Sequence, residues 1–80
     1  MREETIRQAK EYAKANKFDI IRPAIEENGA TYFMLDYTGR PRYTGHPHII
    51  KISPTGKVKR VLDVETIYRI YNQAKEPLKM

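Results

Sequence analysis

Apolar residues recur at helical spacing near the N-terminus of the chain. In residues 5–16 they occupy one stripe, formed by Ile6, Ala9, Tyr12 and Ala13. A stripe with this period predicts an amphipathic helix. Thr5 is the expected N-cap, with Gln8 three residues later as its capping-box partner. Because the stripe contains small residues, we expect the helix to pack closely on a sheet.

A second helical pattern lies near the C-terminus. Asp63 is the expected N-cap, and the helix should end near Lys75, before Pro77. Its apolar residues are predicted to form one broad apolar face with Ile70 on the flank: Val64, Ile67, Tyr68, Tyr71 and Ala74. Tyr68 and Tyr71 are expected in the core or at its rim. Residues 76–80 are expected to form a flexible tail.

Residues 18–26 and 30–37 read as two strands joined by Asn28 and Gly29, a strong signal for a two-residue hairpin turn. Pro23 lacks an N–H, which favours an edge strand. The simplest register places one apolar set on each face. One set is Ile20, Ala24, Phe33, Leu35 and Tyr37, and the other is Ile21, Ile25, Tyr32 and Met34. Either helices cover both faces, or one face meets a partner.

A second hairpin is predicted from residues 48–53 and 57–62. The turn between them contains Pro54 and ends at Gly56, which suits a left-handed backbone conformation. The register pairs Lys51 with Lys59 and Ile50 with Arg60. One face then carries Lys51, Lys57 and Lys59, with Ile49 and Val61 further from the turn. The other carries Ile50, Ile52, Val58 and Leu62, interrupted by Arg60.

These elements predict an α+β fold with the order α-β-β-β-β-α. The sheet should be mostly antiparallel, with four strands in two hairpins, and the 80 residues should form a single domain. The pattern does not decide whether the two helices share one face of the sheet.

Basic charge is concentrated in the middle of the chain. No acidic residue lies between Asp36 and Asp63, whereas the rest of the chain is nearly neutral, so the net charge of +5 arises almost wholly here. Such concentration is typical of proteins with a polyanionic partner. The acid-free stretch contains these cations and rings: Arg40, Arg42, Lys51, Lys57, Lys59, Arg60, His46, His48, Tyr37 and Tyr43.

The leading functional prediction is a non-enzymatic domain that binds nucleic acid, DNA or RNA, through its sheet. Phosphates would meet Lys51, Lys57, Lys59 and Arg60, while the 38–47 loop would add Arg40, Arg42 and Tyr43. A competing explanation is that the lysines only guard a sheet edge against pairing. Tyr43 could equally fold back onto the core.

Two other partners remain open. A homodimer or a protein-interaction module could use the second apolar face of the first hairpin, formed by Ile21, Ile25, Tyr32 and Met34. An acidic protein could bind the basic residues.

Little in the sequence points to catalysis, metal binding or a membrane. There is no cysteine, which suits a reducing cytoplasm, and there is no glycine-rich phosphate loop. His46 and His48 supply two potential metal ligands, fewer than a zinc site needs. No secretory leader or membrane span is evident. We therefore expect a cytoplasmic protein without enzymatic activity, metal or cofactor.

The order of elements loosely resembles two nucleic-acid-binding folds. The sequence from Gly45 to Ile52 is faintly similar to the loop before a strand in double-stranded RNA-binding domains. Where that family has a lysine-rich helix start, this chain has Asp63, Val64 and Glu65. Residues 51–74 look like the hairpin and helix of the DNA-binding domain of phage integrases. There, a basic hairpin enters the major groove.

Overall fold

Each strand of the sheet pairs with its neighbour along the chain. In a computed structural model, which describes residues 2–39 and 45–79, the strands are antiparallel and lie in the order β1-β2-β3-β4. The elements are α1 Glu3–Ala15, β1 Ile20–Glu27, β2 Ala30–Asp36, β3 His48–Ile52, β4 Val58–Arg60 and α2 Val64–Tyr71. The predicted α+β order is confirmed.

The two helices cover opposite faces of the sheet, which explains why both faces of the first hairpin are apolar. Ala9 and Ala13 of α1, both fully buried, pack on a set formed by Ile21, Phe33, Leu35, Ile50 and Ile52. Ile67 and Ile70 of α2 pack on the opposite set, formed by Ala24, Tyr32, Met34 and Ile49. Alanines allow α1 to approach the sheet closely, as predicted.

A bulge in β1 changes the register of the first hairpin. The turn is as predicted, with Asn28 at φ 52° and Gly29 at φ 79°. The pairing shifts between Pro23 and Glu26, so that Pro23, rather than Ala24, lies opposite Phe33. Because the bulge adds one residue to β1, the β1 side chains that precede it face the opposite side of the sheet from the one predicted. The predicted faces were therefore wrong for Ile21, which belongs to the α1 side, and for Ala24, which belongs to the α2 side.

The second hairpin has the predicted register. Ile50 lies opposite Arg60, Lys51 opposite Lys59 and Ile52 opposite Val58. Gly56 has a φ of 89°, and its N–H donates to the Ser53 carbonyl at 2.9 Å. One assignment was wrong: Leu62 is 75% exposed and does not join the core, because β4 ends at Arg60.

The start of α1 differs from the prediction. The helix begins at Glu3 with Arg2 as N-cap, and Thr5 is buried within the first turn rather than capping it. Gln8 does not close a capping box. Its side-chain amide instead donates to the Gly56 carbonyl at 3.1 Å, and this bond ties α1 to the β3–β4 turn.

The end of α1 is a Schellman motif built on a lysine. Lys17 has a φ of 64°, and the Phe18 N–H donates to the Ala13 carbonyl at 2.8 Å. Glycine usually occupies this left-handed position, because a Cβ there is strained. The motif delivers Phe18 to the α1 side of the core.

We expect Lys17→Gly to raise the free energy of unfolding by about 0.5–1 kcal/mol, because it removes the left-handed strain. Chemical denaturation monitored by circular dichroism would measure the change. Lys14→Gly, one turn earlier in regular helix, is the matched control and should lower stability by about 1 kcal/mol. Equal effects of the two glycines would contradict this account.

Asp63 caps α2 as predicted, but the buried face and the end of this helix differ. Two hydrogen bonds from Thr66, the side-chain hydroxyl first and then the backbone N–H, hold the pKa of the Asp63 carboxyl below its usual value. The helix ends at Tyr71, not near Lys75. Ile70, predicted on the flank, is fully buried, whereas the predicted apolar face includes three residues that are 42–48% exposed: Val64, Tyr68 and Tyr71.

The choice between the two stripes of α2 has a chemical reason. Positions 64, 68 and 71 and positions 67, 70 and 74 are both spaced for one side of a helix. The second stripe contains only aliphatic side chains, so it can enter the core without a polar atom. The first contains two tyrosine hydroxyls, which need water or a hydrogen-bond partner. The sheet therefore buries the aliphatic stripe.

The segment after α2 runs along the outer edge of β1. The Lys75 N–H donates to the Pro23 carbonyl and the Leu78 N–H donates to the Ile21 carbonyl, both at 2.8 Å. Leu78 also packs against the α1 side of the core. The expected tail is thus attached to the sheet as far as Leu78. Pro23 lies on an edge strand, as predicted, and the C-terminal segment covers that edge.

Neither α1 nor α2 has the length and apolar character that crossing a membrane requires, and no other helix occurs in the described residues.

Candidate nucleic-acid interface

Three lysines of the second hairpin share the α2 side of the sheet, and we call them the lysine cluster: Lys51, Lys57 and Lys59. Lys51 lies directly opposite Lys59. The hairpin continues to Lys57, whose carbonyl accepts from the Ser53 N–H at 2.9 Å. Because facing alternates along a strand, these three positions face the same side. All three side chains are exposed.

Two hydroxyls of the β3–β4 turn lie among the lysines. A shallow depression of about 210 Å³ is lined by the lysine cluster together with Ser53 and Thr55. The Ser53 hydroxyl accepts from the Lys57 N–H at 3.0 Å and lies 3.0 Å from the Thr55 hydroxyl. That contact uses one of the two hydroxyl hydrogens, so the other is left to donate to a ligand. Three ammonium groups and a hydroxyl donor form a surface suited to an anion.

No carboxylate neutralises the lysine cluster within the described part of the chain. The ion pairs there join Arg7 to Glu4 and Glu11, and Arg69 to Glu27. Lys51 has one aromatic contact, with its ammonium 5.8 Å from the centroid of the Tyr32 ring. Like charges directly opposite each other on a sheet are unfavourable, and a bound anion would relieve that repulsion.

The other predicted cations are not part of this cluster. Arg60 is exposed but lies opposite Ile50, so it belongs to the α1 side of the sheet. Arg40, Arg42 and Tyr43 lie outside the described residues, and their contribution stays a prediction from the sequence. The structure therefore brings together three of the seven predicted residues.

The two histidines do not converge on one site. The His46 ring nitrogen Nδ1 lies 3.0 Å from the Tyr68 hydroxyl, on α2. The His48 Nε2 lies 3.0 Å from the Tyr12 hydroxyl, on α1. The helices cover opposite faces of the sheet. The His46 ring therefore links the residues just before β3 to α2, and the His48 ring links the first residue of β3 to α1. Among residues 2–39 and 45–79, no three potential metal-ligating side chains come together.

The apolar face proposed for a protein partner is covered by the chain itself. Tyr32 and Met34 are 6% and 7% exposed beneath α2, and Ile21 is fully buried beneath α1. Ile25, the fourth residue of this face, is half-buried against the same α2 cluster, so little of the face is left for a second chain. Dimerisation stays a prediction from the sequence, but this face is no longer assigned to it.

Sequence reasoning missed two sets of residues near the candidate interface. Ser53 and Thr55 flank Pro54 in the predicted turn, and neither was among the predicted site residues. Their position between Lys51 and Lys57 in the sequence could have indicated that their hydroxyls lie beside the lysines. The exposed tyrosines of α2 were assigned to the core or its rim rather than to a binding surface. The presence of two apolar stripes on one short helix was the signal that one stripe had to remain outside.

Comparisons with protein-family models, with curated proteins and with solved structures each gave no match. Fold and site together define the class: a small α+β domain in which two helices enclose an antiparallel four-stranded sheet, with a basic hairpin at one end.

Proposed function

We propose that this protein is a non-enzymatic nucleic-acid-binding domain that contacts phosphates through the lysine cluster. The observation that carries the proposal is the convergence of Lys51, Lys57 and Lys59 on one exposed surface, where none of them forms an ion pair with a carboxylate of the described residues. The lack of cysteine suits action in a reducing cytoplasm.

Edge protection explains only part of this cluster. Lysines on an edge strand discourage pairing with another sheet, and this function fits Lys57 and Lys59 at the β4 edge. Lys51, however, lies on β3, which is paired on both sides by β2 and β4 and has no free edge. A lysine on an inner strand, opposite another lysine, is better accounted for by an anionic ligand.

Arg60 and the loop residues take secondary places in the proposal. Arg60 lies on the other side of the sheet from the cluster, so it would reach only phosphates that pass around the edge of β4. Arg40, Arg42 and Tyr43 follow β2 in sequence and are retained as predicted contacts. The basic hairpin and its turn are the centre of the site.

The test is a salt titration of binding to a labelled duplex DNA and a labelled RNA hairpin, followed by fluorescence anisotropy. Three phosphate contacts correspond to a slope of about −2.7 in log K against log salt concentration for duplex DNA, or roughly a 40-fold loss between 50 and 200 mM salt. No binding at 50 mM salt would refute the proposal. Equal binding of an acidic polypeptide would indicate a protein partner instead.

A further inference from the structure

The exposed flank of α2 has aromatic rings that the fold does not need for packing. Ile67 and Ile70 supply the helix's contact with the sheet, while Tyr68 and Tyr71 remain 42% and 46% exposed. The two tyrosine rings lie edge to face, with centroids 6.3 Å apart. His46 stands edge-on to Tyr68 at 5.6 Å.

A groove runs along this flank. It has a volume of about 740 Å³ and lies on the α2 side of the sheet, the same side as the lysine cluster. Its described lining combines rings, an apolar floor and polar groups: Arg22, Met34, Asp36, Gly45, Pro47, Tyr68, Tyr71, Asn72 and Ala74. The Asp36 carboxylate accepts from the Tyr37 N–H at 2.8 Å, so the groove holds one acidic and one basic side chain. The Arg22 guanidinium donates to the Lys75 carbonyl at 3.3 Å, which holds a positive charge at the groove.

We propose that this groove takes an unpaired base of a single-stranded nucleic acid, an inference that rests on the proposed function. A base has flat faces that stack on tyrosine and an edge rich in hydrogen-bond donors and acceptors. Tyr68 and Tyr71 supply the rings, and the Asn72 amide and the Tyr71 hydroxyl supply groups for the edge. The Asp36 carboxylate accepts from an amino group of the base, and Arg22 offsets the Asp36 charge. Phosphates along the strand meet the lysine cluster.

The lining suits this occupant better than an apolar one. An apolar helix, or an apolar surface of a second copy, would bury Arg22 and Asn72. Their hydrogen bonds to water would be lost and not replaced, which is unfavourable. A second copy would also bring together two chains of net charge +5. A base instead supplies a flat apolar ring together with edge atoms that can pair with Asp36 and Asn72.

The experiment compares an unstructured single strand with a duplex of equal length, using the full chain and the double variant Tyr68→Leu with Tyr71→Leu. We expect single-strand affinity to fall roughly 5- to 150-fold, the usual effect of losing one stacked base, while duplex affinity stays within about twofold. The chain has six tyrosines and no tryptophan, so quenching of tyrosine emission by the single strand provides a second readout. That quenching should be reduced in the variant.

Tyr37→Leu is the matched control, because Tyr37 is 40% exposed and lies beside Phe18, away from α2. It should leave single-strand affinity unchanged. An unchanged single-strand affinity in the α2 variant, while duplex binding persists, would overturn this inference alone. If the unmodified chain bound no nucleic acid at low salt, both proposals would be overturned. Light scattering that shows a dimer, abolished by the α2 variant, would place a second copy on the flank instead.

Discussion

Replacing Lys51, Lys57 and Lys59 together by alanine is expected to reduce the salt dependence of duplex binding by about 2.7 in log-log slope. Each lysine that neutralises a phosphate releases counterions, and each contributes about −0.9 to that slope. The ratio of the unmodified chain's duplex affinity to that of the variant should therefore fall roughly 40-fold between 50 and 200 mM salt. Anisotropy titrations at four or five salt concentrations would measure both slopes.

The control for this variant removes the same charge elsewhere. Lys10, Lys14 and Lys79 changed together to alanine also lower the net charge from +5 to +2. Lys10 and Lys14 lie on α1, on the opposite side of the sheet from the lysine cluster. If affinity followed total charge alone, the two variants would behave alike, and the cluster would lose its assigned function. Thermal unfolding would confirm that both variants remain folded.

Ile70→Ala is expected to destabilise the protein by about 2–5 kcal/mol, because Ile70 is fully buried between α2 and the sheet and its loss leaves a cavity. A domain of 80 residues has a total stability of about 4–12 kcal/mol, so the change removes a large share of it. The unfolding midpoint should fall by at least about 8 °C. Chemical denaturation and a thermal scan would provide both quantities.

Val64→Ala is the matched control on the same helix. Val64 is 48% exposed, so its truncation should change stability by no more than about 0.5 kcal/mol. The two variants distinguish the observed packing of α2 from the sequence prediction, in which Val64 belonged to the apolar face and Ile70 lay on its flank. A larger loss for Val64→Ala than for Ile70→Ala would show that the predicted face is the buried one.

The order of the elements and both hairpin turns could be predicted because their signals are local. Asn28 and Gly29 tolerate the left-handed backbone that their turn requires, and Gly56 does so in the second hairpin. The turn then determines the register of the residues beside it, so the shared face of Lys51, Lys57 and Lys59 followed from counting. The candidate site was predictable to this extent.

The bulge in β1 and the cover of both sheet faces were not predictable in this way. A bulge adds one residue to one strand, and its position depends on how Pro23, Ala24 and Ile25 pack between two helices. The consequence for function was large, because the apolar face proposed for a partner is divided between the two helices: Ile21 lies under α1, and Tyr32 and Met34 lie under α2. An apolar strand face indicates burial but does not name the element that covers it.

By itself, the sequence determined the α-β-β-β-β-α order, the two turns, the Asp63 cap and the shared face of the three clustered lysines. Each of these features depends on residues close together along the chain. Only the tertiary structure decided which stripe of α2 is buried and that the C-terminal segment closes the β1 edge. It also decided which helix covers each side of the sheet, so that the lysine cluster shares its side with α2 and Arg60 shares its side with α1. These features depend on contacts between distant segments, where burial of aliphatic surface and the hydration of tyrosine and arginine compete. The exposed tyrosines beside the groove are the result of that competition.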